Sequence, residues 1–419
     1  MKVLWVVNSM FPEAINLLTQ NNLEVKESGG WLPSLANVLA ESGKIEVIVA
    51  GFSSLVNETV KVEGKHIIFY VLPEHNLRRY HPCYENMLRM VYEECSPDVV
   101  HIHGTEYTHG LSFINGCGNH NVVVSIQGMP SVISRYSYAG LPESVIRRNI
   151  TLKTILKGNL IKEKKNTEKY ICPSESELLR RVNYVIGRTS WDRAHTWAIN
   201  PQLVYFHCGE ILRDAFYNGV WTYDKCTKHT IFLSQASRPL KGTHQLLKAM
   251  PLILRHYPDT KIRIAGDNII DTSTWQRRLR LSGYGKILNK FIKQYNLEGK
   301  VTFTGPLNAE DMKAEYLRSN VFVSPSSIEN SPNSLCEAQV LGVPCVASYV
   351  GGVMDFIPNE HCGKLYRFDD VEMLAKAICD TFEESVTYDN TEMREMAHLR
   401  HDREIITNSQ MDIYKKIFG

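Results

Sequence analysis

The sequence predicts an α/β protein built from two doubly wound parallel sheets. Three observations carry that expectation. Short β-branched runs alternate with stretches of helical spacing, and the alternation occurs twice, on either side of a turn-rich break at 208–228. The chain has 419 residues, more than one ordinary hydrophobic core organises. The expected division is a first domain at 1–207, a linker at 208–228, a second domain at 229–390 and a helical segment at 391–419 that crosses back over the first domain. The two domains are expected to face one another across a cleft, the default ligand site of such a pair.

The first run places strands at 3–7, 45–50, 67–72, 99–103 and 122–126, with helices at 32–41 and 84–94. Residues 1–8 read as a buried strand, because their short apolar run lacks a small-residue cleavage site. The loop from Asn8 to Trp31 contains Gly29 and Gly30 just before a helix, where paired glycines allow close backbone approach to a ligand. Ligands in these sheets gather at the carboxyl ends of strands. The strand at 99–103 ends in a loop bearing Glu106 and His109 beside His103, and the strand at 122–126 ends at Gln127. His101 reads as a core histidine by alternation. Residues 135–181, with Arg135 at their start, carry eleven Lys/Arg against five Asp/Glu. A basic, partly amphipathic stretch of this kind suits either solvent or anionic lipid headgroups. A strand at 184–189, a helix capped at Ser190 or Asp192 and running through 198, and a strand at 203–206 complete the run.

The second run places strands at 230–234, 261–265, 301–303, 321–323 and 345–347, with helices at 243–256, 311–319, 334–341 and 370–382. Its first strand exits into a loop with two cations, Arg238 and Lys241. Gly266 marks the next strand end, and Gly305, Pro306 and Leu307 mark the third. After 321–323 come two carboxylates eight residues apart, Glu329 in a loop and Glu337 inside a helix for which Asn333 is the expected N-cap. A helix N-terminus attracts phosphate, and flanking carboxylates accept hydroxyl hydrogen bonds, a combination suited to a sugar nucleotide. Taken alone, the carboxylate spacing favours two solvated acids on an exposed helix.

Composition bounds the partners. A net charge of +2 argues against generic nucleic-acid binding, and 43% hydrophobic with 22% charged residues is the balance of a soluble globular chain. No stretch approaches the roughly 20 apolar residues of a membrane span. Ten cysteines without C-x-x-C pairs imply reduced thiols in a cytoplasm and no zinc site.

The ordered set of a Gly-Gly loop, Lys241-Gly242, Ala265-Gly266, Phe303-x-Gly305, Glu329-x7-Glu337 with Gly342-Val343-Pro344, and Gly351-Gly352 resembles the family-4 retaining glycosyltransferases. The resemblance covers nearly the whole chain and is strongest over 230–360. It implies the GT-B architecture, two facing Rossmann-like domains with a cleft between them. It further implies that Glu329 holds donor-sugar hydroxyls, Glu337 the ribose, and Lys241 the phosphate, with Arg238 as partner cation at a closer spacing than usual. Asn333 and Ser334 correspond to the pyrophosphate-binding N–H groups, although Pro332 lacks the donor many relatives have there. By the same resemblance, residues 305–307 meet the nucleobase, Gly266 lines the donor site, Gly30 lies near the diphosphate and acceptor, and Gln127 stands at the donor sugar, where many relatives carry a histidine. Glu106, His109 and Arg135 are the acceptor-side candidates.

The implied activity is retaining transfer of a sugar, with a UDP-sugar as the expected donor, to a saccharide or lipid-linked saccharide acceptor in surface polysaccharide or glycolipid synthesis. No D-x-D occurs, so no metal or other cofactor is expected beside the sugar-nucleotide co-substrate. The expected setting is the cytoplasm, with peripheral contact at the anionic inner face of a membrane. A sugar-nucleotide epimerase, a phosphorylase, and a non-catalytic nucleotide-sugar-binding member share the scaffold. Reaction of donor alone distinguishes an epimerase, and nucleotide binding without transfer distinguishes the last.

Overall fold

A computed structural model describes residues 1–19 and 31–419, which divide into two compact units. The first comprises Met1–Ser134, Asn166–Ile211 and His401–Gly419; the second comprises Arg135–Lys165 and Leu212–Arg400. Gly29 and Gly30 lie outside the described residues.

The first unit holds an eight-stranded sheet of β1 (Lys2–Val7), β2 (Glu46–Ser53), β3 (Val60–Glu63), β4 (Ile68–Pro73), β5 (Val99–His103), β6 (Val122–Ser125), β7 (Tyr184–Gly187) and β8 (Val204–His207). Their order is β3-β4-β2-β1-β5-β6-β7-β8, parallel throughout except β3 against β4. Sequence reasoning missed β3, a four-residue edge strand whose side chains are all at least partly exposed and which therefore lacks a buried period. In β1 the alternation is plain: Val3, Trp5 and Val7 enter one core, Leu4 and Val6 the other. The Arg403–Phe418 helix covers the Trp5 face with Ile406, Met411, Ile413, Tyr414 and Ile417. A buried polar chain fixes its register. The Trp5 indole N–H donates to the Tyr414 hydroxyl at 2.9 Å, which bonds His101 Nδ1 at 2.7 Å, and His101 Nε2 bonds Ser125 Oγ at 2.5 Å. His101 is thus a core histidine, and burial lowers its pKa to about 3.

The second unit holds a wholly parallel six-stranded sheet of β9 (Thr227–Leu233), β10 (Lys261–Ile264), β11 (Val301–Phe303), β12 (Ser319–Ser324), β13 (Cys345–Ser348) and β14 (Lys364–Tyr366), ordered β11-β10-β9-β12-β13-β14. Three-residue β14 was not expected; it is too short to show a pattern. The order reverses between β9 and β12, so the loops leaving those two strands emerge side by side, the topological position where open α/β sheets bind ligands.

Two local expectations change. The Ser190–Ile199 helix is capped by Thr189, which forms a reciprocal capping box with Asp192. Residues 135–165, read from sequence with the first 207, pack in the second unit. Leu141, Ile146 and Ile161 join its core, and His244 Nε2 bonds the Ala139 carbonyl at 2.9 Å. Nothing local in a basic helical stretch says which of two similar sheets it will cover.

Candidate active site

The site assembles where β9 and β12 end. Lys241 closes the short turn Pro239–Lys241 after β9, and its Nζ lies 2.6 Å from Glu329 Oε1 in the loop after β12. Ser326 Oγ donates to the same carboxylate oxygen at 2.6 Å. The two loops are clamped together by backbone, Ser327 N–H donating to the Leu240 carbonyl at 2.8 Å. Gly242 permits this approach. Its φ is +70°, and a Cβ there would stand 1.5 Å from the Pro325 carbonyl oxygen. Gly351 does the same on the other side, where a Cβ would meet the Glu329 carbonyl oxygen at 1.9 Å while Gly352 N–H donates to that oxygen at 3.0 Å. Glu329 is therefore held through side chain and backbone alike. A small pocket of about 10 Å³, room for about one water, remains among Lys241, Ser326, Glu329 and Ser334.

Beside it begins the Asn333–Leu341 helix. Asn333 was expected as its N-cap; instead Asn333 is the first helical residue, preceded by Pro332, which has no side-chain hydrogen bond to offer. Leu335 and Cys336 N–H donate to the Pro332 carbonyl at 2.9 and 3.2 Å, so Asn333 and Ser334 carry the first-turn N–H groups left for another acceptor, and the buried Asn333 Oδ1 has no partner. One turn on, Glu337 accepts two bonds on Oε1 from Arg213, Nε at 2.9 Å and a terminal nitrogen at 2.7 Å. Burial pushes its carboxyl up to about 7, against the pull of Arg213. Arg213 was not anticipated. It lies 124 residues from Glu337 in what reads as linker, and nothing near it in sequence announces a carboxylate partner.

Gly266 and Gly305 meet in an isolated bridge, Gly266 N–H donating to the Gly305 carbonyl at 2.9 Å, so the ends of β10 and β11 close together. Both glycines have φ above +80° and open space where a Cβ would point; Pro306 is exposed and Leu307 packs on the core beneath. Arg238 is not drawn into this group. It bonds Glu163 at 2.8 Å, more than half exposed, and lines a separate pocket with Asn149 and Tyr284. Its extended backbone before the Pro239–Lys241 turn sends the two cations to different places.

In the first unit, Glu106 and Gln127 gather at the ends of β5 and β6. A Cβ on Gly104 would lie 2.4 Å from Glu106 Oε2 and 3.4 Å from Gln127 Oε1. Burial raises the Glu106 pKa. Glu175, which the sequence did not single out, organises the loop behind them. Its two oxygens accept from Thr105 Oγ1 and Ser131 N–H, each at 2.8 Å, and burial lifts its pKa to about 7. His109 does not join Glu106. It is wholly buried at the start of the His109–Cys117 helix, bonded to the His103 carbonyl at 3.2 Å, with a pKa lowered to about 4 by burial. Arg135 is exposed and belongs to the second unit.

A cation, an uncapped helix tip and two held carboxylates around one switch point can together bind a phosphate group and hydroxyls. The fold is that of the GT-B glycosyltransferase structures, two Rossmann-like α/β domains. Sucrose-phosphate synthase from Thermosynechococcus elongatus matches with a TM-score of 0.72 at 16% identity, covering 100% of this chain and 99% of that one. Anabaena HepE, in complex with UDP-glucose, matches with 0.65 at 15%, covering 99% and 100%. Residues 224–398 match the family model described as Glycosyl transferases group 1, so the second unit carries a domain of that family. Among curated proteins, D-inositol 3-phosphate glycosyltransferase of Corynebacterium urealyticum is 28% identical over 139 residues, 33% of this chain and 31% of that protein. The GDP-mannose-dependent alpha-(1-6)-phosphatidylinositol monomannoside mannosyltransferase of Mycolicibacterium smegmatis is 26% identical over 149 residues, 34% and 35% respectively. These alignments span about a third of each curated relative.

Proposed function

We propose that this protein is a retaining glycosyltransferase of family 4, moving a sugar from a UDP-sugar to a hydroxyl of a surface polysaccharide or glycolipid acceptor at the cytoplasmic face of a membrane. The observation that carries the reading is the Lys241–Glu329 pair, set at the β9/β12 switch point beside the uncapped Asn333–Leu341 helix. The family domain over 224–398 and the nucleotide-sugar chemistry in the names of its relatives support it.

In this reading Lys241 and the N–H groups of Asn333 and Ser334 hold the diphosphate, and Glu329 exchanges its ion pair for donor-sugar hydroxyls. Glu337, fixed by Arg213, accepts the ribose hydroxyls; Gly266 and Gly305–307 border the base. The anomeric C–O bond to phosphate breaks while the acceptor oxygen bonds the same carbon on the same face. The acceptor's proton passes to the departing phosphate oxygen, so no separate general base is required. Charge on the leaving diphosphate is balanced by Lys241 and the helix dipole, consistent with a chain that lacks D-x-D. In this reading Gln127 meets the donor sugar, and Glu106, beside it at the end of β5, serves the acceptor hydroxyl.

A thermal-shift screen of UDP-, GDP- and ADP-sugars, followed by transfer to saccharide acceptors with the first-formed anomer read by NMR, tests the proposal. It expects a UDP-specific rise in melting temperature and a product of unchanged anomeric configuration. An inverted product, or epimerised donor without transfer, would sink it.

A pH dependence follows from Glu337. Ribose hydroxyls need the ionised carboxylate, and the pKa near 7 lies above the ordinary 4.5. UDP affinity should therefore fall as pH drops through 7, approaching about tenfold per unit below it. Unliganded stability should respond oppositely, because the folded state binds the proton more tightly. This group's contribution is largest below 4.5 and lost as pH rises through 7. Titrations at several pH values check the first trend and melting curves the second; a flat UDP profile of the parent between pH 8 and 6, or a Glu337→Gln variant that keeps the parent's pH dependence, decides against it.

A further inference from the structure

The second unit contains two short helices whose apolar sides face solvent. In Leu152–Lys157, residues Leu152, Ile155 and Leu156 share one face at i, i+3 and i+4 and are 51%, 67% and 76% exposed. In Trp275–Leu279, Trp275 and Leu279, at i and i+4, are 67% and 47% exposed. A helix that buries its apolar stripe is the normal case; these two do the reverse. They adjoin one another, because Thr151, the N-cap of the first, donates through Oγ1 to the carbonyl of Leu281, two residues beyond the second, at 2.7 Å.

The surroundings are strongly basic. Residues 147–165 hold seven Lys/Arg against Glu163 alone, and 275–293 hold six against no acid. Glu163 is already paired with Arg238, and Arg277 with Asp271. Between the two segments lies a pocket of about 190 Å³ with Ile146, Ile150, Leu160 and Ile287 on its walls and Lys153 among its lining residues, which carries the apolar surface inward.

We infer that these two helices form a docking surface for an anionic phospholipid bilayer, with Trp275, Ile155 and Leu156 entering the interface while the neighbouring cations meet headgroup phosphates. Tryptophan favours the headgroup level, and Lys and Arg stems run along apolar surface with their charges in water. Clustered cations add attraction to anionic lipid. Among the described residues no helix is long and apolar enough to cross a membrane, so this is contact at the surface. A second copy of the chain is a poor occupant, since the patch would confront its own positive charge. The inference deepens the membrane setting proposed above and stands apart from the donor chemistry.

Flotation with phosphatidylcholine vesicles, with and without phosphatidylglycerol, provides the test. The full chain should float with the anionic vesicles only, and less at high salt. Ile155→Asp/Leu156→Asp and Arg278→Glu/Arg280→Glu should each weaken binding about tenfold or more. Brominated lipids should quench tryptophan emission in the parent protein and far less in Trp275→Phe. Should the Ile155/Leu156 variant melt early, the exposed Arg278/Arg280 variant decides alone. Absence of flotation with anionic vesicles, variants that float like the parent, or a dimer that Ile155→Asp/Leu156→Asp dissociates would overturn the inference. UDP melting shifts measured on the same variants separate its failure from failure of the donor reading: flotation without any UDP shift leaves the docking surface standing and removes the donor assignment.

Discussion

Lys241→Ala is expected to lower turnover by about 10²–10³-fold, the usual loss when one preorganised charge is removed from a developing anion. The lysine sits at the carboxyl end of β9 with Glu329 as its partner, 2.6 Å away and only 15% exposed at the side chain. Substitution leaves Glu329 with its Ser326 bond but without its cation, so a modest stability loss accompanies the kinetic one. Glu329→Gln separates the two effects, because it keeps the shape and an acceptor oxygen for Ser326 while removing the charge. If both residues act on the donor, each variant is slow although its melting temperature stays within a few degrees of the parent. A double variant should be less impaired than two independent losses would make it, since the residues contact one another. Steady-state rates for the parent, both single variants and the double variant settle the matter; unchanged turnover in Lys241→Ala refutes its role.

Gly242→Ala carries the second large effect, this time on the fold. The left-handed backbone alone costs an alanine about 1–2 kcal/mol. The added Cβ would also stand 1.5 Å from the Pro325 carbonyl oxygen, which belongs to backbone and cannot rotate aside. Together these should cost about 3–5 kcal/mol and lower the melting temperature by roughly 10 °C. Because the same clash forces apart the loops carrying Lys241 and Glu329, the UDP-induced melting shift should vanish as well. Gly299→Ala is the control. It has a comparable φ of +76° with nothing within 4 Å of a Cβ, and should show the backbone cost only. Equal melting temperatures for the two variants would mean that the loops are not clamped as described.

What the sequence revealed and what it hid divide along physical lines. Residues 321–323 and 345–347 are buried on both sides, and a continuous apolar run declares such strands, whereas β3 and β14 are short and half exposed and declare nothing. The positions of Glu329, Glu337 and Lys241 at strand ends or a helix start were legible because local chemistry marks those ends. Arg213 was not, since its carboxylate partner is supplied only by the folded chain. His109 misled for a related reason: a loop rich in polar residues suggests a site, but helix formation at 109 turns that side chain into the core. Arg238 and Lys241 look equivalent in sequence, and one short turn separates them. Residues 135–165 carry helical spacing that fits either sheet, and packing by Leu141, Ile146 and Ile161 chooses the second.

The central claim, that a nucleoside diphosphate binds where β9 and β12 end, is tested most directly by calorimetric titration of UDP into the parent protein, Lys241→Ala and Arg238→Ala. A charge-assisted contact contributes about 1.5–3 kcal/mol, so Lys241→Ala should weaken UDP binding by roughly 10- to 150-fold, while Arg238→Ala, already committed to Glu163, leaves it nearly unchanged. Equal affinity in the parent and Lys241→Ala, or no heat of UDP binding to the parent at all, would contradict it.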